Sequence, residues 1–97
     1  MTKSLKQIHT ILKFIGVIHK LSLSEKEIEQ VLEAMLTPGE IDVISQRIHV
    51  LQLLFSGTSQ REVSEQLGVG VATATRGNRM LKENLELFER ILKKGPF

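Results

Sequence analysis

Apolar residues recur along this chain in steps of three and four, and over no useful length in steps of two. Leu5, Ile8, Leu12, Ile15 and Ile18, with Ile11 beside them, form the first stripe and predict an amphipathic helix ending near Lys20. Ser24-Glu25-Lys26-Glu27 then sets a serine three residues before a glutamate, the signature of a capping box. It opens a second helix with Ile28, Val31, Leu32 and Met35 on its apolar face. Thr37-Pro38-Gly39-Glu40 marks a third start. Threonine caps, proline takes the first helical position where its missing N–H costs nothing, and Glu40 completes the box. That helix carries Ile41, Ile44, Ile48, Leu51, Leu54 and Phe55, and stops at Gly57. Ser59-Gln60-Arg61-Glu62 repeats the capping pattern for a short fourth helix. Gly68-Val69-Gly70 breaks the chain, and a fifth helix is expected over about 71–82. A sixth, over about 84–94, has Leu85, Phe88, Ile91 and Leu92 on its apolar side, and Gly95-Pro96 ends it. The expected fold class is all-α: a six-helix chain without internal repeats or low-complexity segments.

Residues 60–81 have the layout of a helix-turn-helix, with the motif spanning about 60–82. Val63 and Leu67 supply the inner face of its first helix, and small Ser64 stands where two helices approach. Gly68 sits at the turn, where a left-handed backbone suits glycine. Val71 and Ala74 are expected to face inward from the second helix. Ala72, Thr73, Thr75, Arg76 and Arg79 are left facing outward. Small side chains and threonine hydroxyls let a helix sit deep in a major groove, and arginine suits phosphates or guanine edges. A helix N-terminus at Gly70-Val71 also favours a phosphate. The bland alternative is a plain helical hairpin closed by a glycine turn.

Charge sharpens this picture. The net charge is only +2, but the charges are segregated along the chain. Lys3, Lys6, Lys13 and Lys20 stand in residues 1–20 with no acid among them. Residues 21–46 hold Glu25, Glu27, Glu29, Glu33, Glu40 and Asp42 against Lys26 alone. Residues 66–82 are basic again, with Arg76, Arg79 and Lys82 and no acid. The N-terminal lysines and the acidic stretch read best as solvated faces.

Composition bounds the rest. Ninety-seven residues make a single domain, 1–97, and a chain of that length builds a modest core, which favours association with a second copy. A hydrophobic share of 41% and a charged share of 25% are those of a globular protein. Cysteine is absent, which excludes a disulfide scaffold and a thiolate metal site and fits a reducing cytoplasm. No apolar run approaches a membrane span, and no signal-type apolar core follows the N-terminus. His9, His19 and His49 share no face with carboxylates at metal-ligand spacing, so no metal site is expected. No nucleophile–base pairing or phosphate loop points to an enzyme, and no catalytic residue is assigned.

Three blocks in order, MLTP (35–38), SQRE (59–62) and ATATRG (72–77), with Arg47 between the first two, resemble the tryptophan repressor family. The resemblance is strongest over residues 34–82; the flanking helices agree by pattern. It implies an intertwined homodimer that binds operator DNA, with a reading head on each side and L-tryptophan as co-repressor between core and reading head. No other cofactor is implied. On this resemblance Arg47 and Arg76 sandwich the indole ring, Arg76 and Thr37 meet the ligand carboxylate, and backbone carbonyls near Ala34 and Leu36 meet its ammonium group. Gly77 leaves room for the ring and Leu51 lines the pocket floor. DNA contacts fall to Gln60, Arg61, Gly70, Val71, Ala72, Thr73, Thr75 and Arg79. Ligand binding would hold the two recognition helices about 34 Å apart, one turn of a palindromic duplex.

Some residues depart from the family pattern. Arg79 and Met80 stand where small polar residues are common, Leu51 is bulkier than the usual valine, Gly39 replaces an acid, and the loop before Ser59 is one residue short. Taken alone, Arg47 reads as half of a surface ion pair, Thr37 as a plain cap and Gly77 as a site of close helix packing. Two competing functions stand beside the resemblance: a related regulator with another effector or none, and a helical adaptor without a nucleic-acid role.

Overall fold

A computed structural model of the chain describes residues 5–97. Lys3, the first of the N-terminal lysines, lies outside them. Six helices follow in order: α1 (Leu5–Leu21), α2 (Glu25–Met35), α3 (Pro38–Phe55), α4 (Gln60–Leu67), α5 (Val71–Glu83) and α6 (Leu85–Leu92). Described residues form no strand, and no helix is long and apolar enough to cross a membrane.

The local signals set the helix ends. Ser24 and Ser59 each accept the amide of the glutamate three residues on, at 3.1 Å in both cases, while that glutamate's carboxylate accepts the serine amide. Two of the four orphan amides of each helix start are thereby satisfied. Pro38 takes the first position of α3. Gly57, at φ +99°, ends the turn after α3, and Gly68, at φ +66°, caps α4. Both lie in the left-handed region that side chains disfavour.

The chain divides into two units, one ending at Thr37 and the other running Pro38–Phe97. In the first, neither α1 nor α2 buries a residue. Leu5, Ile8, Ile11, Leu12, Phe14, Ile15, Val17 and Leu21 are all exposed on α1, which carries a broad apolar face opposite Lys6, His9, Lys13 and Lys20. A face of that kind belongs against an interior, and its own unit offers it none.

The second unit holds the core, in two clusters. Val50 of α3, Val63 of α4 and Ala74 of α5 meet with Leu53, Leu54, Leu67 and Val69 around them. Leu51 of α3, Leu81 of α5 and Leu92 of α6 form the other, flanked by Leu54, Phe55, Met80 and Phe88. α3 is therefore the spine on which α4, α5 and α6 pack. Only its C-terminal half serves. Ile41, Val43, Ile44 and Ile48 stay exposed, as do Leu85, Leu87 and Ile91 of α6.

Gly77 decides how closely α3 and α5 approach. A Cβ built there would stand 2.5 Å from Val50 Cγ1 and 3.4 Å from Leu54 Cδ1. Val50 is fully buried and cannot swing away. A Gly77→Val variant is therefore expected to lose about 3 kcal/mol of stability to overpacking. Alanine should lose less, because its helix preference over glycine offsets about 1 kcal/mol. Urea midpoints with unchanged slope check both values; a Gly77→Val midpoint equal to wild type would show that the helices can part freely.

Candidate nucleic-acid interface

The motif expected over 60–82 is present as α4, a three-residue turn and α5. The turn is held by more than its glycine. Ser64 Oγ donates to the Val69 carbonyl at 2.5 Å, tying the last turns of α4 to the residue before Gly70. Ser64 thus serves as an anchor as well as a small contact residue.

One inward expectation fails. Ala74 is fully buried, but Val71 is 62% exposed. The inner stripe of α5 is Ala74, Gly77 and Leu81. At 100° per residue Val71 lies roughly 90° from the centre of that stripe. It also occupies the first helical position, where α5 has just left α4. Val71 therefore stands on the outer surface with Ala72, Thr73, Thr75, Arg76 and Arg79, all exposed. That surface is small, polar and cationic, and it carries no acid.

The two helix starts of the motif differ. Ser59 caps α4, whereas the residue before α5 is Gly70, which has no side chain to cap with. The Thr73 and Ala74 amides both donate to the Gly70 carbonyl, and the start of α5 receives no side-chain cap. Gly70 is exposed, as is Arg61 on the outer side of α4. Gln60 is half-buried, and its amide oxygen accepts the Thr75 hydroxyl at 2.9 Å. Of the residues assigned to DNA, this pair is joined by a bond.

The residues assigned to the effector fall in both units. Ala34, Leu36 and Thr37 belong to the first. α2 ends at Met35 and Leu36 is its extended C-cap, so the Ala34 carbonyl has no donor in the helix ladder. Arg47, Leu51, Arg76 and Gly77 belong to the second. Arg47 stands on α3 one turn before Val50, and Arg76 precedes Gly77 on α5, so the Val50–Gly77 contact lies beside both. Both arginines are exposed, and neither enters an ion pair among the described residues, where Lys93 after α6 pairs with Glu89. Leu51 is 8% exposed and packs on Leu81 and Leu92, so it offers a core wall. Met80, one of the departures from the family pattern, is half-buried against the same cluster, whereas Arg79 remains outside. Sequence reasoning missed Leu81, although its seven-residue spacing from Ala74 is a legible helical signal.

Known proteins share much of this chain. The family described as Trp repressor protein matches residues 9–95. A Trp operon repressor homolog of Photobacterium profundum is 41% identical over 69 residues, 70% of this chain and 66% of that protein. One of Vibrio atlanticus is 44% identical over 68 residues, 69% of each chain. One of Vibrio cholerae is 37% identical over 68 residues, 69% of this chain and 66% of the relative. The match thus spans about two thirds of the length of these relatives. No solved structure matches the chain.

Proposed function

The chain belongs to the Trp repressor protein family, and from that premise we propose that it is a dimeric, tryptophan-dependent repressor of transcription. The observation that carries the reading is the outer face of α5. Val71, Ala72, Thr73, Thr75, Arg76 and Arg79 are exposed on a helix seated firmly on α3 and α4. Such a face lets the helix enter a major groove, with Thr73 and Val71 at base edges and Arg61, Arg79 and the Val71 and Ala72 amides on phosphates.

L-Tryptophan is the proposed effector. Arg47 and Arg76 carry guanidinium groups outside any ion pair of the described residues, of the kind that stack on an indole face. Arg76 also suits the ligand carboxylate, with Thr37 as a second contact, and the carbonyl end of α2 near Ala34 and Leu36 suits the ammonium group. Leu51 and Gly77 would supply the apolar side. The effector then acts by favouring the arrangement of reading heads that fits the operator, a shift of population rather than a contact to bases.

The homodimer is proposed on the uncovered apolar faces of α1, of the first half of α3 and of α6. Exposed apolar residues gathered on helix faces mark sites of association. The reading is of a regulator, and no catalytic step is assigned.

Titration of L-tryptophan, followed through the ligand's own indole fluorescence, tests the effector. The chain has no tryptophan and no tyrosine, so the background is low. Saturation at one ligand per chain is expected. A folded dimer that leaves the fluorescence unchanged would keep the DNA-reading face and assign the protein another signal.

A further inference from the structure

The hydrogen bond between Gln60 and Thr75 has a direction, and the direction divides their labour. Thr75 Oγ1 donates its proton to Gln60 Oε1 at 2.9 Å. A hydroxyl has one proton, and a phosphate only accepts, so Thr75 in this arrangement has nothing left to donate to a nucleic-acid backbone. Gln60 is in the opposite position. Its oxygen is occupied, while Nε2 carries two N–H donors that meet no acceptor among the described residues. The bond also holds the amide oxygen on Thr75.

Gln60 opens α4 immediately after the Ser59 cap, between that cap and exposed Arg61. Thr75 stands on the exposed face of α5, next to Arg76. The bond therefore bridges the two helices of the motif at the surface that faces solvent, fifteen residues apart in the chain. A glutamine side chain has three rotatable bonds, and one held beforehand loses less freedom when it meets a ligand.

The geometry points to Thr75 as a positioning residue that acts on DNA through Gln60, whose Nε2 is the donor to a backbone phosphate. This rests on the DNA-binding reading above and deepens it, because the family resemblance assigns both residues to DNA without dividing their roles. A contact of this kind positions the protein without reading sequence. Loss of Gln60 should thus weaken binding to every duplex by a similar factor.

A double-mutant cycle tests the assignment. The probes are a duplex recovered by the wild-type protein from a randomised pool in excess L-tryptophan, and a duplex of unselected sequence. Gln60→Ala should weaken both about tenfold, the effect of a hydrogen bond to a charged acceptor. Thr75→Val, which keeps the shape and removes the hydroxyl, should weaken both about threefold to fivefold. In the Gln60→Ala background, Thr75→Val should have no further effect. Thr75→Ser should restore affinity to within about twofold of wild type, since it restores the donor. Thermal midpoints of all four variants should match wild type, because the pair lies at the surface.

Additive losses in the double variant would overturn the inference, by showing that Thr75 meets DNA independently. A Thr75→Val protein that binds like wild type, or a Thr75→Ser protein as weak as Thr75→Val, would do the same. Each of those results leaves DNA binding itself intact. A wild-type protein that recovers no duplex from the pool would instead overturn the DNA-binding reading, and the inference with it.

Discussion

Arg76→Ala should abolish tryptophan-dependent DNA binding and leave the folded protein unchanged. Arg76 is exposed on α5, and no hydrogen bond or ion pair among the described residues depends on it. Its removal opens no cavity, since the buried stripe of that helix is Ala74, Gly77 and Leu81. In the proposed site the same side chain has two roles, stacking on the indole and pairing with the carboxylate. Charge-assisted hydrogen bonds contribute about 1.5–3 kcal/mol, and a desolvated cation–π contact adds about 1–2 kcal/mol. The expected loss of ligand affinity is therefore on the order of a hundredfold or more. Lysine should not rescue it, because a point charge lacks the planar fork. Fluorescence titration and a mobility shift with and without L-tryptophan read the two effects. Wild-type co-repression in the alanine variant would remove Arg76 from the effector site.

The second large effect is expected on α1. Leu12 and Ile15 are 61% and 54% exposed in the single chain. If a second copy covers them, glutamate at both positions must either enter that interface as unpaired charge or prevent it from forming. Burying an unpaired carboxylate costs several kcal/mol, and a symmetric dimer would carry each substitution twice. Dimer affinity should then fall by roughly a thousandfold or more, read by sedimentation equilibrium. Lys13→Glu lies between the two positions and changes charge at a residue that is polar already, so it should remain dimeric. Amide chemical shifts of residues 38–97 report whether the second unit stays folded in the monomer. That unit has its own buried clusters, and it should. An unchanged dimer in the double variant would show that α1 is not the interface.

These two effects differ in where their evidence arises. The importance of Arg76 follows from its place in ATATRG, and the structure adds that it enters no ion pair among the described residues. The case for α1 needs both sequence and structure. Its three-and-four spacing predicts an amphipathic helix, and the structure adds that the apolar face is broad and that the helix buries none of it. A stripe on a helical wheel says which residues avoid water. It does not say whose surface will take them.

The helix ends were legible because their causes are local. Ser24 with Glu27, Ser59 with Glu62, Pro38, and Gly68 at φ +66° each act within four residues, and the boundaries fall where those residues stand. The last helix is shorter at both ends than its pattern suggests, Leu85–Leu92 against 84–94. Its start has no side-chain cap to mark it, and its final residues turn back through Gly95.

The all-α class, the order of the helices, the turn at Gly68 and the outward set Ala72, Thr73, Thr75, Arg76 and Arg79 were thus determined by the sequence itself. Capping, helical period and backbone preference are short-range effects that a linear reading captures. The tertiary structure alone decided that Val71 faces out, that Met80 belongs to a core, and that Ser64 ties the turn. It alone joined Gln60 to Thr75. Each of those outcomes depends on which neighbour arrives from a distant part of the chain and how closely it packs, and Gly77 against Val50 sets that distance for α5.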